Sequence, residues 1–131
     1  MLILSLKSQK EFDLVNKLGK KFHSPYYISI IAKNFTKLHQ IQLCKKSSEI
    51  LDNSSNIVLL GMKVGRKLGN AVIRNKIKRR IRHLVRLLSQ VPQFKQNIWA
   101  MIIIPKKGFE QIEFATLLSE LYSSCIKNAK N

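Results

Sequence analysis

The chain has 131 residues, of which 24 are Lys or Arg and seven are Asp or Glu, a formal net charge of +17. That length predicts one domain, 1–131, and 45% apolar content suffices for a packed core. Charge of this size selects a polyanion as partner, nucleic acid first and an anionic membrane surface second. No segment approaches the apolar length of a membrane span, and the opening MLILSL is too short, with no basic leader, for a secretory signal. Cys44 and Cys125 form no Cys-x-x-Cys pair, and His23, His39 and His83 have no ligand spacing with them. Reduced thiols, no zinc site and a cytoplasmic location are expected.

In chain order, Leu6–Gly19 predicts a helix. Ser8 and Glu11 have capping-box spacing, Phe12, Val15 and Leu18 recur at helical spacing, and Gly19 is a fitting stop. Lys20–Ser24 reads as a basic turn. Tyr26–Lys33, rich in aromatic and β-branched residues, reads as a strand with Tyr26 and Tyr27 on opposite faces, so at most one of them belongs fully to the core. Thr36–Asn56 is undecided, with a short strand around Gln40–Leu43 and a polar loop after Lys45. Ile57–Val64 and Asn97–Ile104 are continuous apolar runs of the kind found in the middle of a sheet. The helix between them makes a βαβ unit, so the two strands should be parallel. Glu110–Lys127 reads as a last amphipathic helix with Cys125 on its core side. The predicted order is α-β-β-β-α-β-α. The fold class is α/β or two-layer α+β, with three helices on a small sheet of about four strands.

The stretch Gly61–Arg86, GMKVGRKLGNAVIRNKIKRRIRHLVR, holds ten Lys or Arg and no acid. All seven acids lie outside residues 53–109. Ile73, Ile77, Ile81, Leu84 and Leu88 form one helical stripe; Asn75, Arg79, Arg82 and Arg86 form another. Asn70 is placed to cap this helix. A solvated surface helix mixes charge signs, whereas ten like charges repel unless a polyanion neutralises them. Catalytic chemistry is missing from the same stretch. It has no phosphate-binding loop of the Walker type and no carboxylates to hold Mg²⁺ for phosphodiester cleavage. If the protein takes part in a nucleic-acid reaction, another component does the chemistry.

Residues 61–86 resemble the signature of the bacterial ribonuclease P protein family, roughly Gly-Phe-x-Val-x-Lys-Lys-x-Gly-x-Ala-Val-x-Arg-Asn-Arg-x-Lys-Arg-x-x-Arg. Gly61, Val64, Lys67, Gly69, Ala71, Val72, Arg74, Asn75, Lys78, Arg79 and Arg82 match in register. The opening helix, with Glu11, Phe12, Val15 and Gly19, and the strand NIWAMIIIPKK are similar as well, so the resemblance spans nearly the whole chain.

The resemblance implies a left-handed crossover through the basic helix, where the general rule is right-handed. It implies the small subunit of a ribonucleoprotein that removes the 5′ leader of precursor tRNA. The RNA subunit is then the catalyst, the reaction needs Mg²⁺, and the protein alone holds no cofactor. By the same resemblance Arg66, Lys67, Arg74, Asn75, Lys76, Lys78, Arg79 and Arg82 would contact the RNA subunit. A cleft between the first helix and the sheet, with Lys7, Phe12 and Tyr27, would take the single-stranded leader. Phe12 stands open between core packing and base stacking. Two departures matter. Lys76 stands where the family has Arg, which loses a planar fork, and Asn16 stands where the family often has an aromatic.

Other readings separate by particular features. A structural or ribosomal RNA-binding protein with no role in tRNA processing shares the charge and fold class but not the ordered motif. DNA binding is disfavoured because a strand and a loop, not a helix, precede Asn70. Membrane binding is disfavoured because the isoleucine stripe belongs to the core.

Overall fold

The computed structural model describes residues 2–6, 8–33, 57–88, 90 and 98–130. Strand β4 (Ile57–Met62) and strand β5 (Ile98–Pro105) are the two continuous apolar runs, and they pair in parallel, Leu59 against Ala100 and Gly61 against Ile102. Both are covered on both faces, so they lack the polar alternation of a half-exposed strand. Strand β1 (Leu2–Ser5) adds in parallel to β4. Strand β3 (Tyr27–Lys33) adds antiparallel to β5, and β2 (Lys20–His23) closes the far edge against β3. The sheet order is β1-β4-β5-β3-β2.

Helix α1 (Gln9–Leu18) lies on one face of this sheet. Helices α2 (Ala71–Leu88) and α3 (Phe114–Lys130) lie on the other. The larger core joins Tyr27, Ile31, Val58, Leu60, Met101 and Ile103 to the buried stripe of α2, and to Leu117, Leu121 and Cys125 of α3. The smaller core joins Leu6 and Val15 to Ile30, Ala32, Leu59, Ala100 and Ile102. Successive strand residues alternate between the two cores, as the pleat requires. Burial pushes the Cys125 thiol up to about 12, so it stays protonated as a small core residue.

The fold class, the three helices and the parallel pair agree with the sequence expectation. The sheet is larger than the expected four strands. Residues Lys20–His23 are a strand and not a turn: Lys20, Lys21 and His23 face solvent, and lysines on an edge strand discourage pairing with another chain. The first helix starts at Gln9, where Ser8 Oγ accepts the Glu11 N–H at 3.2 Å, while Leu6 N–H donates to Leu60 O at 2.9 Å and extends the β1 pairing. The last helix starts at Phe114, behind a 3₁₀ turn at Phe109–Gln111. The expected strand at Gln40–Leu43 and the loop Thr36–Asn56 lie outside the described residues. Gly19 ends α1 without a left-handed angle. A Cβ there would stand 2.6 Å from Val15 O and 2.8 Å from Ile30 Cγ2, so its need is close approach to β3.

Candidate nucleic-acid interface

Helix α2 begins as the cap chemistry predicts. Asn70 Oδ1 accepts the Ile73 N–H at 3.0 Å. Gly69 before it has φ 146°, a region that side chains rarely adopt, and a Cβ there would press on Ile73 at 2.9 Å. This start fixes the rotation of the helix. Ile77, Ile81, Leu84, Val85 and Leu88 are buried, and Ala71, Val72, Asn75, Lys76, Arg79, Arg82 and Arg86 are exposed. Arg74 and Lys78 are half-buried on the border, and Arg74 Nε is buried with no hydrogen-bond partner among the described residues. Arg66 and Lys67 sit exposed on a 3₁₀ turn, Arg66–Leu68, just before the helix. The eight residues expected to meet the RNA subunit therefore lie together on one helix and the turn that leads into it. Ala71 and Val72 join that surface. Val72 is 75% exposed, and its apolar type gave no sign of it.

One cation of the run behaves differently. Arg80 reaches inward across the core border, and its Nη1 donates to Phe109 O at 2.7 Å and its Nη2 to Ile112 O. Its guanidinium also lies 5.9 Å from the Phe109 ring centroid. Burial pulls its pKa below the ordinary guanidinium value, and the charge of Glu110 acts in the opposite sense. Arg80 therefore ties α2 to the turn before α3.

A second surface forms around Phe12. Its ring lies over Gly61, where a Cβ would stand 2.5 Å from Phe12 Cε1 and 2.9 Å from Leu6 Cδ1. Gly61 has no positive φ; it is required because the ring takes the space of a side chain. The ring is half-buried, and Lys63 Nζ stands 5.9 Å from its centroid. On the same face, Ile28 and Ile104 pair across β3 and β5, and both remain half-buried. His23, opposite Ile28, is exposed at the far side. Phe12, Lys63, Ile104, Ile28 and His23 thus frame an apolar floor with cationic or ionisable ends.

Tyr27 is not part of that cleft. It is 2% exposed, in the core on the opposite face, edge-on to Phe109 with ring centroids 6.1 Å apart. Adjacent strand residues alternate faces, and the face that carries α1 takes Ile28 and Ile30 instead. Lys7 lies outside the described residues.

The two surfaces meet at the ends of β4 and β5. There an open pocket of about 700 Å³ is lined by Lys63, Arg66, Lys67, Lys106 and Lys107, with Leu68 and Pro105 among its apolar walls. Lys63, Lys106 and Lys107 line this pocket although the sequence expectation does not include them. The available signal was their position at the matching ends of two parallel strands. Among the described residues, no three His, Cys, Asp or Glu side chains come together to hold a metal ion. No helix among them is long and apolar enough to cross a membrane.

The profile of the Ribonuclease P family matches residues 4–129. The chain belongs to the ribonuclease P protein family. The ribonuclease P protein component of Rickettsia canadensis is 51% identical over 129 residues, covering 98% of this chain and 99% of that protein. The component from Rickettsia prowazekii is 49% identical over 127 residues, covering 96% and 95%. Among solved structures, the Thermotoga maritima RNase P protein is 27% identical with TM-score 0.60, covering 91% of this chain and 92% of that one. The Staphylococcus aureus RNase P protein shares the fold at TM-score 0.62 and 22% identity, covering 96% and 94%. Within this ribonuclease P protein, Gly61 seats Phe12, Gly69 and Asn70 start α2, and the exposed cations of the signature run along one side of that helix.

Proposed function

We infer that this chain is the protein subunit of ribonuclease P, acting in removal of the 5′ leader from precursor tRNA. The observation that carries the reading is the signature helix itself. Its apolar stripe is spent on the core, which leaves Asn75, Lys76, Arg79 and Arg82 outward, beside Arg66 and Lys67, with no acid in the stretch. This is a surface for RNA phosphates, and in this reading the RNA subunit occupies it. The leader would lie in the cleft beside Phe12, where a flat ring can stack on an unpaired base. Cleavage and its Mg²⁺ then belong to the RNA subunit, and the protein contributes positioning and charge neutralisation.

Binding to a bacterial ribonuclease P RNA should weaken steeply as salt rises, because each neutralised phosphate releases condensed counterions. Arg79→Ala should lower the log–log salt slope by about one while leaving the fold intact, since Arg79 is exposed. An unchanged slope in the folded variant would remove Arg79 from the interface.

A further inference from the structure

The cleft reading assigns a role to Phe12, and a second group stands over the same ring. Lys63 continues β4 past Met62, and its backbone N–H donates to Ile103 O at 3.1 Å. That bond holds its Cα at the end of the strand, on the face that carries Gly61 and Phe12. The side chain is exposed, with Nζ 5.9 Å from the Phe12 centroid, and the same side chain lines the basic pocket. Lys63 therefore both borders the aromatic ring and opens onto the pocket. Its neighbour Lys106 is less free to move, because Lys106 Nζ donates to Ser24 O at 2.8 Å.

The Cε1–Cζ edge of the ring packs against the sheet at Gly61, and Leu6 Cδ1 meets the same space. The Lys63 ammonium stands over the ring, 5.9 Å from its centroid, so a base that stacks on that side meets it. Lysine suits such a place: its charge sits on a flexible four-carbon stem and can leave an aromatic face for a phosphate without disturbing the fold. Asn16, one turn along α1, is exposed and supplies no second ring. Beside Phe12 the described residues place a cation, Lys63, which can supply a contact to the same nucleotide.

We propose that Phe12 and Lys63 form a one-nucleotide seat for single-stranded RNA, in which the base stacks on Phe12 and the Lys63 ammonium moves from the ring to that nucleotide's phosphate. The seat reads no base edge, so it takes any leader sequence and responds to salt. The proposal rests on the leader-cleft reading of Phe12.

The test uses holoenzyme reconstituted with a bacterial ribonuclease P RNA, titrated with precursor tRNA and with leaderless tRNA over a salt series. Lys63→Ala should weaken precursor binding several-fold and lower its salt slope by roughly 0.7 to 1, with leaderless binding unchanged. Lys63→Arg should restore most of the affinity and slope, and Lys63→Gln should not. The melting temperature of the free protein should stay near the parent value, because Lys63 is exposed. Equal losses on both ligands, or none on precursor, would overturn the proposal. Phe12→Ala separates this failure from that of the cleft. If Phe12→Ala discriminates against precursor and Lys63→Ala does not, the Lys63 assignment alone falls. If neither discriminates, the leader cleft falls with it. An effect of Lys63→Ala without one of Phe12→Ala would overturn the stacked base.

Discussion

Arg80→Ala should destabilise the free protein by about 1.5–3 kcal/mol, with the melting temperature lower by on the order of 10 °C. The guanidinium donates to two carbonyls of the turn before α3, Phe109 O and Ile112 O, and alanine leaves both without that donor. Packing on Phe109, a residue buried in the larger core, is lost as well. Arg80→Lys should recover only part of the stability. An ammonium is a point donor and cannot span two carbonyls as the planar fork does. Once folded, the Arg80→Ala protein should bind the RNA subunit with the parent salt slope, because Arg80 faces the core border and not the exposed row. Arg79, its neighbour, should behave in the opposite way. A lowered slope with an unchanged melting temperature would place Arg80 on the RNA and contradict its role as a tie.

Gly61→Ala should cost about 1–3 kcal/mol by overpacking, although alanine suits a strand better than glycine. The added Cβ would stand 2.5 Å from Phe12 Cε1, so either the ring or the strand must move. The ring is half-buried and on the short helix, so it should move first, and precursor affinity should fall with stability. A double variant makes the mechanism visible. In Phe12→Ala the ring no longer crowds Gly61, although Leu6 Cδ1 still stands 2.9 Å from the added Cβ, so adding Gly61→Ala should cost less than it does alone. Thermal melts of the parent, both single variants and the double variant give the coupling. Simple additivity would show that the Gly61 Cβ is unwelcome for a reason other than Phe12.

The parts that were legible in the sequence are the local ones. Ser8 and Asn70 cap helices through bonds that span three residues. The isoleucine stripe of α2 follows from periodicity, and the uninterrupted apolar runs of β4 and β5 follow from burial on two faces. The parts that were not legible depend on partners far along the chain. Lys-Lys-Phe-His carries no alternating apolar pattern and becomes a strand only because β3 offers it an edge. Tyr27 and Ile30 are both strand residues of the right type for a cleft. Which of them faces Phe12 depends on the side of the sheet that takes α1, and no window around β3 contains that. Arg80 looks like any other cation of its run until a turn 29 residues later supplies two carbonyls. The same holds for the site. The signature and its charge marked the α2 surface, whereas the seat of Phe12 needed Gly61 from another strand, and Lys63 gains its place only beside both.

Reconstitution tests the central claim most directly. The purified protein, freed of nucleic acid, is assayed on 5′-labelled precursor tRNA alone and with a bacterial ribonuclease P RNA, at a salt and Mg²⁺ level chosen so that the RNA by itself cleaves slowly. The account predicts no cleavage by the protein alone, and cleavage at the mature 5′ end that the protein accelerates when the RNA is present. Cleavage by the RNA-free protein, or an RNA whose rate on precursor tRNA the protein does not change, would contradict it.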